Sequence, residues 1–359
     1  MQATRLVRLS IILVTVLTTA GGCVIIDGSW GPQFKFERTV ELQQALQPGA
    51  TLTAETASGS IHATGHETNQ AQVVATITAR AGSEETAQRL AEEVNVHFQE
   101  TGDKVALKAD KPTLLPGQSI SISYKMDLPR PTSVEFNSAS GSISVTDLDG
   151  SVNAHTASGS VEAERIKGAV RLGSSSGSAH ADQVEGGDAR LESASGGVRL
   201  SNASKIGACE LHSASGSATA HNVQAASIKM SSASGPVTLT NAQAETMDLH
   251  ASSGNVRAES IDSSRLKAES VSGNVSAAFV PSAPGNVVAD LGTGSGSVDV
   301  TLPSAFGGRV DLSTGSGSVR VDLPVTVKGT IGTRHVSGSI GEGSGSLSAH
   351  TASGSVHVR

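Results

Sequence analysis

From residue 132 to the C-terminus, apolar and polar residues alternate in two short runs that meet at a Ser-Gly pair, and this unit recurs about every 19 residues. A constant period of this length is typical of a solenoid in which each repeat is one coil. The pattern predicts an all-β fold, a parallel β-solenoid (β-helix) of about twelve coils. The glycines of the pairs are Gly141, Gly159, Gly177, Gly196, Gly216, Gly235, Gly254, Gly273, Gly296, Gly317, Gly338 and Gly354.

Alignment of the coils on this glycine indicates which side chains face inward. The positions seven and five before it, and two and four after it, are mostly apolar, as Ile228, Met230, Val237 and Leu239 are around Gly235. The alternation changes parity across the Ser-Gly pair, so the strand must bend or bulge there. We therefore interpret all of these glycines except Gly338 as structural corners, and expect them to adopt the positive φ that glycine tolerates.

A hydroxyl residue stands three positions before nearly every corner glycine, for example Thr156 and Ser213. The parity of the strand points this hydroxyl inward, so we expect it to bond a backbone group or a hydroxyl one coil away, as buried polar groups do. The chain closes on "SGSVHVR" without an obvious cap. This ending predicts an open C-terminal edge that is available for strand pairing.

Residues 34–131 carry the Ser-Gly phrase only once, at Thr56–Ser60, and are otherwise varied. The segment "SEETAQRLAEEVNVHF" predicts one helix, because Ser83 can cap it and Leu90, Val94 and Phe98 fall on one helical face. We expect a small region of strands with one helix that caps one end of the solenoid.

The first 22 residues resemble a bacterial export signal of the lipoprotein type, with Arg5 and Arg8 before a short apolar run and Ala20-Gly21-Gly22 before Cys23. In this interpretation Cys23 is lipidated, for instance with palmitate, and residues 23–33 are the lipidated cysteine and a tether. The alternative is ordinary cleavage near Ala20, where lipoproteins most often carry Leu, with Cys23 left free. The only other cysteine is Cys209, so lipidation of Cys23 would leave the exported chain without an intramolecular disulfide.

The predicted lipid anchor favours a membrane as one partner, and the net charge disfavours nucleic acid as another. Val24 after Cys23, rather than Asp, favours the outer membrane if the source is Gram-negative, so we expect a lipid-anchored protein of the cell envelope. The net charge of -7 gives no basic footprint for nucleic acid. The expected partners are therefore the membrane, through the N-terminal anchor, and an unknown envelope protein or surface glycan.

The phrases "TASGSIHATG", "SASGSISVTDLDGSV" and "TASGSVEAE" resemble the strand, Ser-Gly turn, strand pattern of DUF4097, the "putative adhesin" or "toastrack" family of bacterial β-solenoid proteins. The resemblance covers residues 34–359. It implies an envelope β-solenoid, with adhesion proposed for the family and envelope-stress sensing attached to some relatives. The family has no agreed active site, so the resemblance supplies no catalytic residue.

Candidate catalytic and metal-binding patterns all have a simpler structural explanation. The sequence "GSSSG" at Gly173–Gly177 matches the G-x-S-x-G consensus of a nucleophile elbow. We interpret it instead as one copy of the repeated Ser-Gly corner. Asp147 and Asp149 fit a turn better than a glycosidase pair. The recurring histidines, four positions before the corner glycine, face outward and are too far apart for one zinc ion; they are His155, His212, His250 and His350. We predict no catalytic residue, no metal site and no cofactor.

Three functions remain open at this point. The first is a non-catalytic, lipid-anchored, adhesin-like or scaffold protein whose Ser/Thr-rich faces bind a protein or glycan. The second is an envelope-stress sensing partner that acts through the cap or the open edge by strand addition. The third is a carbohydrate-active β-helix enzyme, which the scarcity of aromatic residues in the repeats disfavours.

Overall fold

The structure is a computed structural model that describes residues 15–17, 24–25, 33–327 and 332–359, with only the strand pairing given for residues 15–17, 24–25 and 327. Ala20 and Cys23, and with them the predicted cleavage and lipidation site, lie outside the described residues. The chain forms two compact units, residues 1–159 and 160–359. The prediction of an all-β, mostly parallel β-solenoid is confirmed.

The described residues of the first unit form twelve strands and one helix. They are β1 (Thr15–Leu17), β2 (Val24–Ile25), β3 (Gln33–Ala45), β4 (Thr51–Ser58), β5 (Ile61–His66), β6 (Gln70–Ala81), α1 (Glu84–Glu93), β7 (Asn95–Thr101), β8 (Lys104–Asp110), β9 (Ser119–Pro129), β10 (Ser133–Ser140), β11 (Ile143–Thr146) and β12 (Val152–Thr156).

Two kinds of pairing meet in this unit. Strands β3, β6 and β9 pair in antiparallel order, with β1 and β2 added antiparallel to β3. Strand β9 then pairs in parallel with β5, which pairs with β11, while β4 pairs in parallel with both β8 and β10. The isolated Ser-Gly phrase at Thr56–Ser60 is thus stacked in register with the next copy, since Thr56 lies opposite Ser138.

Helix α1 packs against β3 and β6 through Ala87, Leu90 and Ala91, which are buried. Ser83 caps it as predicted, because its hydroxyl accepts a hydrogen bond from the Thr86 amide at 3.2 Å. The predicted helix is too long, since it ends at Glu93. Val94 is extended and Phe98 lies on β7, where pairing with β8 takes over the backbone hydrogen bonds. Among the described residues no helix is long and apolar enough to cross a membrane.

The regular elements in the described part of the second unit are all strands. They are β13 (Val161–Ile166), β14 (Val170–Ser174), β15 (Ala179–Glu185), β16 (Ala189–Ser193), β17 (Val198–Ser213), β18 (Ala218–Ser232), β19 (Val237–Ala251), β20 (Val256–Ser270), β21 (Val275–Phe279), β22 (Val288–Ser295), β23 (Val298–Thr301), β24 (Gly308–Ser316), β25 (Val319–Val321), β26 (Thr326–Val327), β27 (His335–Ile340), β28 (Gly345–Ser353) and β29 (Val356–Val358).

Successive coils of this unit stack in parallel from β13 to β23, in register except for shifts between Ala203 and Ile206 and between Glu259 and Ile261. The core is formed by the apolar columns that the sequence predicts, and Cys209 occupies one of them with 1% of its surface exposed. A further buried column, seven positions after the corner glycine, was not predicted. It contains Ile166, Val184, Ala203, Val223, Ala242 and Ile261.

The last coils do not stack in chain order, and the predicted open C-terminal edge is wrong. Strand β28 pairs with β22 on one side and β24 on the other, and β29 lies in the same way between β23 and β25. The final coil is therefore inserted between two earlier ones. His357 joins both neighbours, since its ring nitrogens lie 2.8 Å from Asp322 and 3.5 Å from Asp299.

The segment around Gly338 is not a coil. It lies on β27, which pairs antiparallel with β24 and with β26. The Ser-Gly dipeptide at this point belongs to a hairpin, because an antiparallel neighbour cannot continue the parallel stack. This hairpin covers the side of β24 that faces away from the final coil.

Candidate functional site

Each coil bends first at the Ser-Gly pair, where a buried hydroxyl connects two coils. Ser213 accepts a hydrogen bond from the Gly216 amide at 2.8 Å and donates one to the Gly196 carbonyl of the preceding coil at 2.9 Å. Ser193 and Ser232 make the same pair of bonds. The predicted inward hydroxyl is thus observed, and it bonds to backbone groups at each of these corners.

The corner glycines are required for a different reason from the one expected. Among those described, only Gly317 and Gly354 of the predicted set have a φ in the left-handed region. At the others the stacking is too close for a side chain. A Cβ on Gly216 would lie closer than 3.0 Å to the Gly196 carbonyl, and the equivalent clash recurs from Gly235 to Gly296. The expectation of a positive φ is therefore wrong for most corners, where close backbone approach explains the glycine.

A second bend follows six residues after the corner glycine, and it carries the left-handed backbone instead. The φ values there lie between 51° and 61° although none of the residues is glycine. Asn and Asp tolerate this conformation better than other non-glycine residues. The residues are Asp147, Arg165, Gln183, Asn202, Asn222, Asn241 and Ser260.

The second bend of the second unit presents two columns of amide side chains along the stack. Asn222 donates to Asn202 at 3.0 Å, Asn202 donates to Asp182 at 2.8 Å, and Asn241 donates to Asn222. Two residues further along each coil, Gln224 donates to Gln243 at 3.1 Å. Since an amide has two N–H groups and an oxygen with two lone pairs, one bond to each neighbour leaves further hydrogen-bonding capacity.

These two columns form the walls of a groove with a volume of about 530 Å³. We call it the amide groove. Its floor is the buried column of Ala203, Val223 and Ala242, while Asp262 and Val280 lie at one end. The groove runs across the strands, so equivalent amides recur at the coil spacing of about 4.8 Å. It therefore offers a regular, mostly uncharged row of donors and acceptors.

A second cavity lies in the first unit, with a volume of about 740 Å³. Its polar lining has mixed charge, from Glu55, Lys108 and Lys111, together with the neutral Asn137. Its repeated positions carry different groups, since Glu55 lies opposite Asn137 and Thr56 opposite Ser138. The amide groove is the more specific candidate for recognition, because its groups share one chemistry and one spacing.

The outward face before the Ser-Gly corner has a different role. Residues that lie directly opposite one another in adjacent coils alternate in charge along six coils: Arg190, Glu210, Lys229, Asp248, Lys267 and Asp290. A hydrogen bond to Glu269 raises the pKa of Lys267, and the flanking Asp248 and Asp290 add to this effect. Opposite charges in register favour this stacking and disfavour a shift by one coil. This face helps to fix the register.

The other predicted chemistry stays apart in space. His212 bonds the Ser231 hydroxyl at 2.8 Å, and the ring of His350 lies over Gly292. Ser174 of "GSSSG" accepts a bond from the Gly177 amide at 2.7 Å, as a corner hydroxyl does. Asp147 lies at the second bend. Within the described residues no three His, Cys, Asp or Glu side chains are grouped so that they could hold a metal ion.

The family model for "Toastrack DUF4097" matches residues 120–219 and 205–359. The chain belongs to the Toastrack DUF4097 family. The match includes the repeated coils, the amide groove and the inserted final coil. No curated protein matches the chain.

Three solved structures are similar to this Toastrack chain at low sequence identity. A "putative cell adhesion protein" from Clostridium sporogenes has 10% identity over 89% of this chain and 97% of that chain, with a TM-score of 0.22. A "putative adhesin" from Bacteroides fragilis has 12% identity, the same coverage and a TM-score of 0.27. A "putative lipid binding protein" from Parabacteroides distasonis has 10% identity over 89% and 96%, with a TM-score of 0.34.

Proposed function

We propose that this Toastrack protein is a non-catalytic, lipid-anchored solenoid of the cell envelope that binds an extended, uncharged glycan in the amide groove. The observation that carries the proposal is the pair of amide columns, Asn202, Asn222 and Asn241 on one wall and Gln224 and Gln243 on the other. Amides both donate and accept, which suits the hydroxyls of a sugar.

The spacing of the amide groove supports a glycan better than a peptide. The coils repeat at about 4.8 Å, which is comparable with the length of one sugar ring in an extended chain. An extended peptide presents equivalent groups only every second residue, or about 6.6 Å, and would lose register after one coil. A glycan can therefore meet equivalent amides in two successive coils, Asn222 with Gln224 and then Asn241 with Gln243.

The charge of the amide groove supports an uncharged ligand. Asp262 at one end and Asp182 beyond Asn202 are the carboxylates that bond to the columns, and the whole chain carries a net charge of -7. An anionic polymer would approach against this field. A neutral glycan experiences no electrostatic repulsion of this kind, and its hydroxyls exchange hydrogen bonds with water for hydrogen bonds with the amides.

The groove lacks an aromatic platform, so we expect weak binding at each coil. The coils act together, because a ligand held at one amide pair is already positioned at the next. Binding should therefore increase with the length of the glycan, and short oligosaccharides should bind poorly.

The groove can be tested on an array of neutral and anionic glycans with the exported protein. Gln224→Ala combined with Gln243→Ala removes one wall without changing a left-handed residue, and should reduce binding of long neutral glycans about tenfold, as expected for lost polar contacts of about 1.4 kcal/mol. Thr219→Ala combined with Thr238→Ala is the matched control, because these residues lie opposite each other in the same two coils on another face. Equal binding by wild type and the glutamine variant would refute the groove.

Lipid anchoring requires a separate test at Cys23. Metabolic labelling with a palmitate analogue should mark the wild type and fail to mark Cys23→Ala. An unlabelled wild type would support ordinary cleavage and remove the anchor from the proposal. The envelope-stress alternative relied on strand addition at the cap or at an open C-terminal edge. The C-terminal strand β29 is paired on both sides, so only the cap remains for that alternative.

A further inference from the structure

Two adjacent leucines project from the loop between β8 and β9 in the first unit. Leu115 has 64% of its surface exposed and Leu114 has 39%. Among the described residues only two other large apolar side chains are comparably exposed, Val271 and Val288, and these are not neighbours in sequence. The pair at Leu114–Leu115 is thus a local apolar tip that the fold leaves uncovered.

The loop is ordered around this tip. The Leu115 amide donates to the side chain of Gln118 at 2.9 Å, and the Gln118 amide donates to the Leu115 carbonyl at 3.0 Å. Pro112 and Pro116 restrict the backbone on both sides of the leucines. Since little conformational freedom remains in the loop, burying the leucines against a partner would cost little entropy.

The loop lies beside the start of β3. The side chain of Gln33, the first residue of β3, donates to the Gly117 carbonyl at 3.4 Å. Gln33 follows the predicted lipidation site, Cys23, by only ten residues. Val24, the residue after Cys23, pairs with Phe34 on β3. The leucine tip is therefore within reach of any membrane that holds Cys23.

Charges of both signs lie near the loop, and Asp110 ends β8 directly before it. Lys111 lies in the loop, and Arg80 lies opposite both Ser119 at the start of β9 and Lys35 on β3. Glu37 pairs with Lys35 at 2.7 Å, and two acidic residues, Glu84 and Glu85, begin the helix that follows β6. A contact made by the Leu114–Leu115 loop would therefore depend on the two leucines more than on the surrounding charges.

We propose that the Leu114–Leu115 loop inserts into the interfacial region of the lipid bilayer that holds the Cys23 anchor. The inference rests on the lipid anchoring in the proposed function. The loop would be a second membrane contact that fixes the orientation of the first unit on the bilayer. An apolar tip next to a short tether matches a lipid surface, since two separate signals hold a protein at a membrane more firmly than one.

The test uses the full exported protein in vesicles of phosphatidylethanolamine and phosphatidylglycerol. Leu115→Cys is labelled with an environment-sensitive dye, while Cys209 is buried and stays unlabelled. We expect a blue-shifted emission that a lipid-borne quencher reduces by at least half. Val271→Cys, with 57% of the wild-type side chain exposed, is the control and should keep the emission of a dye in water.

The possible outcomes distinguish failure of the loop contact from failure of the lipid anchor. A protein that floats with the vesicles while the dye at position 115 stays in water would overturn the loop contact and leave the anchor standing. A wild type that neither floats nor takes up the palmitate analogue would overturn both. Blue shift and quenching at position 115, with neither at position 271, would support the proposal.

A second variant tests whether the leucines drive insertion. With the dye at Thr113→Cys, Leu114→Ser combined with Leu115→Ser should remove most of the quenching and leave the melting temperature unchanged, because both leucines are exposed. Replacing phosphatidylglycerol by a neutral lipid should preserve the quenching. A signal that survives loss of the leucines, or that disappears with the anionic lipid, would contradict an apolar insertion.

Discussion

Both bends of a coil change the direction of the chain, but they do so with different backbone conformations and different tolerance for side chains. At the Ser-Gly corner the backbone of Gly216 keeps an ordinary φ but stacks so closely on Gly196 that no side chain fits. At the second bend Asn222 takes a φ of 55° and keeps its side chain outside the core. One bend excludes side chains and the other exposes them.

This difference explains which part of the coil repeats in the sequence and which part is free to vary. The Ser-Gly corner accepts one small set of residues, because the hydroxyl of Ser213 and the absence of a Cβ at Gly216 are both needed. The second bend accepts Asp, Arg, Gln, Asn and Ser in different coils. Variation there changes the surface without changing the fold, so a binding groove can be built at that bend.

The largest effect should come from adding one methyl group at the first bend. Gly216→Ala places a Cβ against the Gly196 backbone, which cannot move without separating two coils. We expect a loss of about 3 kcal/mol or more in the free energy of unfolding, measured by urea denaturation. Gly197→Ala is the matched control, because its Cβ would meet mainly the flexible side chain of Ser217. Equal stability of the two variants would contradict the close-approach explanation.

A smaller effect should follow from removing the corner hydroxyl. Ser213→Ala leaves the Gly216 amide and the Gly196 carbonyl without their partner in a partly buried site. The expected loss is about 2 kcal/mol, because unpaired buried groups keep their desolvation cost. Ser215→Ala, at an exposed serine of the same corner, should change stability by less than about 0.5 kcal/mol. If thermal unfolding shifts equally for both, the hydroxyl does not connect the coils.

The titratable group on the straight segment between the bends should change the free energy of unfolding only at high pH, with no contribution at neutral pH. Burial, with the nearby Glu210 charge, raises the pKa of Cys209 from 9.0 to about 12. The unfolded chain releases this proton first, so stability is full below pH 9 and declines as the pH rises towards 12. Tyr124, whose pKa burial raises from 10.0 to about 12, acts in the same direction. Cys209→Ala should make the decline shallower in urea titrations, and an unchanged slope would count against this assignment.

Much of the first bend could be predicted from the sequence, since a fixed phrase and a change in parity mark it in every coil. The second bend had a signal as well. An apolar residue such as Val223 stands seven positions after the corner glycine, which breaks the even parity of Ala218 and Ala220. The residue before it varies from coil to coil, and no single amino acid marks the left-handed backbone there.

The order of the last coils could not be predicted, because the repeat pattern shows which residues face inward but does not show which coils are neighbours. The final phrase Thr351–Ser355 is identical to Thr156–Ser160, yet it lies between the coils of Gly296 and Gly317. Any coil with matching columns can pair with either neighbour. The irregular spacing after Gly273 was the visible departure, and the hairpin at β26 and β27 accounts for part of it.

The central claim is that glycine is needed at the first bend for space and that a side chain is tolerated at the second bend despite its backbone. A reciprocal exchange in one coil tests this most directly. The free energy of unfolding should fall by about 3 kcal/mol or more in Gly216→Asn, which introduces a side chain where the coils touch. It should change by less than about 1 kcal/mol in Asn222→Gly, which relieves the left-handed residue and loses only exposed bonds. Similar losses in both variants would contradict the account.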